Sequence, residues 1–550
     1  MNPDGMNVTD PQNYVPLYHK FFTLSDKNYD TINLNHVKYL DSVGDMKDSN
    51  IFECQVIDEN GTSTNKNVFF KYSPLLDPVK YMMGKYKIDD ENVMKLPKFD
   101  TNDGHAKIRD PNNAAYVDSF FTYLTSQLYH SHGFIHALDF YGSFLANKKE
   151  FRVNIADDVE YLNDSEFFHL NRSSLFEVDN AYANGIFNFN TRKNKEKLKL
   201  GTIEGDNILD LSNIEDLEEL DNIFVERKDE ETDVKVEEAD LVFSFDIKEG
   251  DKKDNDSSSE CSSRSSITDG EDSDDDSDCD DEESSESGFS TASEDMLFAT
   301  LPSFPVQVIA LEKCANTLDS LIVDKGEDMK DQEWGSMMIQ VIMMLISYQN
   351  SYSLTHNDLH TNNIMYVPTD KPYLYYKADG KHYKVPTFGR LYKIIDFGRA
   401  IYKFRGNVIC SDSYHPKGDA ATQYNFEPYM NEAKPRIDPN FSFDLCRLGC
   451  SLLDFFIDEL EDSPKDPRLA AKRVMAEWCI DDKGRNVLYK KDGEERYPNF
   501  KLYKMIARTV HNHRPLDELR KGYFERFTVA KKKLGKNVKI MNIDDLPSYM

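Results

Sequence analysis

The sequence predicts an α+β fold: a strand-rich first part and a mostly helical second part, interrupted by a long acidic insertion. Three observations predict it. Short runs of β-branched and aromatic residues fill much of the first 150 positions, helical periodicity dominates after about position 334, and the negative charge concentrates in one segment between them.

Residues 1–35 read as a loosely ordered lead-in, and the strand-rich part opens over 36–148. IFECQVID (51–58) and NVFFKY (67–72), joined by a loop containing Asn60-Gly61, read as a hairpin. AYVDSFFTYLTSQL (115–128) places Val117, Phe120, Phe121, Leu124 and Leu128 on one helical face. FIHALDFYGSFLA (134–146) reads as two further strands. The insertion covers 149–305, and from about 205 to 297 it has little to bury. Its serines and like charges, densest in 257–287, mark a disordered segment. A solvated linker is the plain reading. The sharper one is a phosphoacceptor tail, in which each phosphate adds about -1.5 to -2 charge. Order returns at VQVIALEK (306–313), a buried-strand pattern, so 306–314 closes the strand-rich part. WGSMMIQVIMMLISY (334–348) reads as a strong amphipathic helix. Helices dominate 315–530, and 531–550 is a tail.

The net charge of -32 misleads, because residues 201–296 carry 36 acidic against 7 basic side chains and leave only -3 for the other 454 residues. The folded part is therefore nearly neutral, and no nucleic-acid or membrane partner is predicted. A membrane span needs roughly 20 apolar residues. The longest candidate, VIMMLI (341–346), is far shorter, and the first residues lack the order of a signal peptide. Eight cysteines without a CxxC pair argue for buried thiols in a reducing, intracellular compartment.

The chemistry concentrates in His356-Asn357-Asp358-Leu359-His360-Thr361-Asn362-Asn363, which follows the long helix, and in Asp396-Phe397-Gly398 after Ile394-Ile395. Phosphoryl transfer to a hydroxyl needs one carboxylate to orient the hydroxyl and take its proton, which is the role read for Asp358. It also needs oxygen ligands for magnesium, which Asn363 and Asp396 supply. His356 and His360 stand four apart like a zinc pair. The zinc signature, however, requires Glu after the first histidine and a helix under both, and neither is present.

These residues resemble the protein-kinase superfamily, whose catalytic loop reads H-R-D-L-x-x-x-N and whose metal motif is D-F-G. FSFDLCRLGCSLLDFF (441–456) resembles the family's central helix, with Asp444 bracing the catalytic loop. HRPLDELRKGYFERF (513–527) resembles its closing element, with Arg514 pairing an activation-segment Glu, expected at Glu427. The resemblance implies a bilobal fold whose N-lobe holds the insertion, and which binds ATP and Mg between the lobes. Lys71 looks like the lysine that grips the phosphates; an exposed strand-end lysine is the plain alternative. Its helix partner should be acidic. Tyr123 stands nearest the usual spacing and cannot serve, so Asp118, about a turn earlier, is the candidate. Glu312 and Cys314 resemble the hinge, whose backbone groups bind adenine.

Two departures stand out. The expected Gly-rich loop, 38–56, contains only Gly44, which weakens phosphate binding and favours a pseudokinase scaffold that binds partners through the acidic insertion. His360 occupies the place of a lysine, as in small-molecule kinases of the choline and aminoglycoside type. Imidazole changes charge near pH 6.5, where lysine does not. His360→Lys is therefore expected to flatten the pH–rate profile, and an unchanged profile removes the idea.

The loop and the stretches 375–400, 410–429 and 434–456 together resemble serine/threonine protein kinases of nucleocytoplasmic large DNA viruses, the mimivirus relatives among them. The segment before Asp396 is expected to be an extended hairpin. The resemblance covers 306–530 well and 67–146 weakly. It does not extend to the acidic insertion, whose serines among carboxylates make it a candidate for autophosphorylation; it implies a protein substrate with a Ser/Thr acceptor and a location in host cytoplasm or virion. Ser411, Ser413 and Thr422 fall in the implied activation segment, as loop-surface hydroxyls or as phosphosites.

Overall fold

The computed structural model describes residues 5–34, 37–87, 90, 92–179, 297–463, 465–535 and 538–550. Most of the acidic insertion, with its expected disorder, lies outside the described residues. The fold is α+β.

Seven strands form the main sheet: β1 (Val8–Gln12), β2 (Lys38–Asp48), β3 (Ile51–Asp58), β4 (Ser63–Pro74), β5 (Phe140–Asn154), β6 (Glu177–Val178) and β7 (Phe298–Glu312). Their order is β1-β5-β7-β4-β3-β2, with β6 also on β7, and every pairing is antiparallel. The β3–β4 hairpin turns at Gly61, whose φ of +77° suits glycine. The helix Ala114–His132 packs against β5 and β7 and buries all five residues of the expected face. Asn113 caps its start by accepting from the Ala115 N–H, and Gly133 ends it in the left-handed region.

Three expectations about the strand-rich part need correction. The lead-in is built into the fold: β1 pairs with β5, and Met6, Val15 and Leu17 are buried. VTDPQ is too short and polar to announce a strand. Residues 134–146 hold one strand, not two, because His136 docks elsewhere. Its Nδ1 donates to the Tyr392 carbonyl at 2.8 Å and its Nε2 accepts from the Tyr376 hydroxyl at 2.6 Å. Burial lowers the pKa of this imidazole to about 4, so it stays neutral. Finally, β7 begins at Phe298 rather than 306. Pro302 and Pro305 disguise its first half, since proline argues against a central strand.

The second part is built around the helix Asp331–Tyr352. Every residue from Trp334 to Gln349 is buried, so this is a central helix enclosed on all sides rather than an amphipathic one. The helices Ala470–Glu477 and Pro515–Leu519 pack on it, Phe443–Leu453 packs on Ala470–Glu477, and Phe500–Thr509 packs on Phe443–Leu453. Small sheets carry the loops: β8 (Asn316–Thr317), β9 (Ile364–Pro368), β10 (Tyr373–Ala378), β11 (Lys381–Pro386) and β12 (Arg390–Ile394). β10 and β11 form the expected hairpin, and Met541–Asn542 adds to β10 in parallel. The six described cysteines are free thiols. No helix among the described residues is long and apolar enough to cross a membrane.

One buried carboxylate ties this part together. Glu518 is fully buried and accepts from Trp478 Nε1 at 2.9 Å, His513 Nδ1 at 3.0 Å and Lys521 Nζ at 2.9 Å. Burial alone raises its pKa, but its bonds and charge interactions with His513 and Lys521 outweigh burial and hold the carboxyl below its ordinary 4.5. Its contribution to stability is therefore complete above pH 4.5 and lost as pH falls through the lower folded value. Glu518→Ala is expected to cost about 3–5 kcal/mol, since it strands buried donors. Urea unfolding from pH 3 to 7 checks it, and the variant should lose part of the slope below 4.5.

Candidate active site

Strand alternation in β4 buries Val68, Phe70 and Tyr72 and leaves Lys71, itself largely buried, on the other face. Lys71 Nζ meets Asp118 Oδ2 at 2.8 Å and Asp396 Oδ1 at 3.0 Å. Asp118 also accepts from the Phe397 N–H at 2.8 Å, so the Ala114–His132 helix grips both the lysine and the Asp-Phe-Gly turn. Burial pushes the Asp118 carboxyl up despite Lys71. Burial also opposes ionisation of Asp396, but the Lys71 charge outweighs it and holds Asp396 low. Asp396 sits at φ +62°, and Phe397 is buried against Phe121 at 4.6 Å.

The His356–Asn363 turn is held from below by Asp444. This carboxylate is fully buried in the first turn of Phe443–Leu453. It accepts the N–H groups of His356 at 2.9 Å and Asn357 at 2.8 Å. His356 Nε2 donates to the Ile395 carbonyl at 2.9 Å, joining this turn to the Asp396 turn. Asn357, at φ +66°, donates to the Arg399 carbonyl and accepts from the Tyr424 hydroxyl at 2.7 Å. Asn363 Nδ2 donates to the Asp358 carbonyl at 2.8 Å and to His360 Nε2 at 3.1 Å, which leaves the amide oxygen of Asn363 to bind a ligand.

Around Asp358 the structure adds residues that the motifs do not name. Tyr503 donates to Asp358 Oδ1 at 2.8 Å and accepts from Arg447 Nε at 2.9 Å. The Arg399 guanidinium lies 5.6 Å from the Tyr503 ring centre and pairs with Asp419 at 2.7 Å. Burial opposes the charge on Asp358. Arg399, His360, Arg447 and the Tyr503 hydroxyl outweigh it and hold the carboxyl well below the usual carboxylate range.

Glu312 and Cys314 lie at the far end of the same strand pair. Glu312 faces Val68 across the ladder, while Lys71 faces Ile309, so about 10 Å of strand separates the two places. The Glu312 N–H is already given to the Asp139 carbonyl at 2.9 Å, and its carboxylate accepts from Lys393 Nζ at 2.7 Å. Glu312 therefore offers no free N–H, whereas the Cys314 N–H has no acceptor among the described residues. Burial pushes the Cys314 thiol up to about 12.

Other placements depart from the sequence reading. Glu427 pairs with Arg436 at 2.9 Å, and Arg514 instead lies over Phe441, so the expected Arg514–Glu427 pair is absent. Arg436 is only nine residues from Glu427 and reaches it first. Ser411 and Ser413 are buried rather than on the loop surface, while Thr422 is exposed. Between the serines, Asp412 accepts from the Ala114 N–H at 3.0 Å and from Lys107, which anchors this loop to the start of the long helix. A Cβ at Gly44 would meet the Glu53 carbonyl oxygen at 2.7 Å, so this glycine serves the approach of β2 to β3. Of the missed residues, only Arg399 had a signal, its place directly after Gly398. Tyr503, Arg447 and Asp412 had none.

No family model matches the chain. A curated relative, the uncharacterized protein ZK177.2 of Caenorhabditis elegans, is 24% identical over 106 residues. The match spans 18% of this chain and 36% of that protein's length, about a third.

Proposed function

We propose that this chain is an ATP-dependent phosphotransferase with a bilobal, protein-kinase-like fold, acting on Ser/Thr hydroxyls of a protein. One observation carries the reading: Lys71 Nζ bridges Asp118 and Asp396, 325 residues from Lys71, beside a loop that presents Asp358. Asp358 is charged and partly accessible, as a residue that takes a hydroxyl proton must be. Lys71 supplies fixed positive charge for a nucleotide's phosphates, and the Cys314 N–H is a donor for adenine.

The donor set fits magnesium. The described residues contain no group of three or more His, Cys, Asp or Glu side chains able to hold a metal. Asn363 and Asp396 offer an amide oxygen and a carboxylate, and magnesium is commonly held by one or two carboxylates with substrate phosphates completing its shell. Bound there, it would neutralise triphosphate charge. The resemblance to viral serine/threonine kinases supports a protein acceptor, and the serines set among carboxylates in the acidic insertion make it one candidate acceptor.

A second reading, a non-catalytic scaffold, is favoured by the β2–β3 hairpin. Its tip, Asp48–Ile51, contains no glycine to bring backbone amides onto phosphates. The deciding experiment is transfer of labelled γ-phosphate from Mg-ATP to the chain itself, to an acidic and a basic test protein, and to small alcohols. Label on protein supports the proposal. Label on small alcohols alone moves the assignment to a small-molecule kinase. No label and no nucleotide binding leaves the scaffold.

A further inference from the structure

We infer that Tyr503 is a positioning residue for Asp358: its phenol holds one carboxylate oxygen and leaves the other to take the acceptor's proton. The inference rests on the reading of Asp358 as the base.

The Tyr503 hydroxyl is held on both sides, donating to Asp358 Oδ1 at 2.8 Å and accepting from Arg447 Nε at 2.9 Å. Burial raises the Tyr503 pKa, so the group remains a phenol and a donor. Its ring stacks on Phe500 at 5.4 Å and meets Phe443 at 6.1 Å, which locks it between two helices. Arg447 lies one turn after Asp444 on Phe443–Leu453. One helix therefore sets the loop backbone through Asp444 and the base side chain through Arg447 and Tyr503. Asn363 fixes the Asp358 carbonyl from the other side. Only one of the carboxylate's acceptor directions is used by Tyr503, so an incoming hydroxyl still has Oδ2. A phenol wedged between helices orients the base and does not swing aside as a plug would.

The test compares full-length wild type, Tyr503→Phe, Tyr503→Leu and Arg447→Met. It measures kcat per nucleotide-binding site, KM for ATP and thermal stability. Tyr503→Phe keeps the ring and loses the hydroxyl. We expect kcat to fall about 10-fold, the size of one charge-assisted hydrogen bond, with KM for ATP unchanged. Arg447→Met should show the same pattern more weakly. A Phe variant with wild-type kcat, beside an impaired Leu variant, reduces Tyr503 to packing and overturns the inference. A rise in kcat makes it a plug and overturns it too. If wild type transfers nothing, the reading of Asp358 as base falls first and takes the inference with it.

Discussion

Asp358→Asn is expected to lower phosphate transfer about 10²- to 10⁴-fold while nucleotide binding and folding survive. Asparagine can still accept the Tyr503 hydrogen bond, so the wall around the site should hold. It cannot take a proton at neutral pH, so the acceptor hydroxyl loses its base. Wild-type Asp358 is held below its ordinary 3.8, since the nearby arginines, His360 and Tyr503 outweigh burial. It is therefore charged throughout the neutral range, and any loss of activity between pH 5 and 7 must come from another group. Label transfer and nucleotide titration on the same preparations separate the two roles. A variant with wild-type transfer would remove Asp358 from the chemistry.

Lys71→Met is expected to be nearly as damaging, at about 10²- to 10³-fold in transfer, and unlike Asp358→Asn it should also weaken nucleotide binding. Lys71 is the cation between two carboxylates, with side chains only 12% exposed for Lys71 and 4% for Asp118. Without it, Asp118 and Asp396 repel each other in a desolvated place. Asp118, already pushed up by burial, should then take a proton and lose its charge. Calorimetric titration with Mg-ATP at two pH values reads this directly, because nucleotide binding should couple to proton uptake or release differently in the variant. Unchanged affinity and transfer would make Lys71 a structural strand-end lysine.

The legible parts of this protein are those written in local spacing. The β3–β4 hairpin followed from two short β-branched runs around Asn60-Gly61, and the buried face of Ala114–His132 from its period. Lys71 and Asp118 were paired through the resemblance, which asked for an acid near Tyr123 and found Asp118 about a turn earlier, and they lie 2.8 Å apart. The lead-in was misread because Val8–Gln12, short and mostly polar, gains its strand only from the edge of β5. The enclosure of Asp331–Tyr352 was hidden because the helical period cannot tell one buried face from burial on every side.

By itself the sequence determined the α+β division, the confinement of negative charge to one insertion, and which carboxylates and amides stand near one another along the chain. Those properties depend on neighbours a few residues apart, where backbone geometry dictates position. Only the tertiary structure decided what surrounds Asp358. Tyr503 comes from 145 residues away, and Arg447, which holds its hydroxyl, comes from a different helix. Such contacts depend on how helices pack, and packing leaves no periodic trace in the residues it joins.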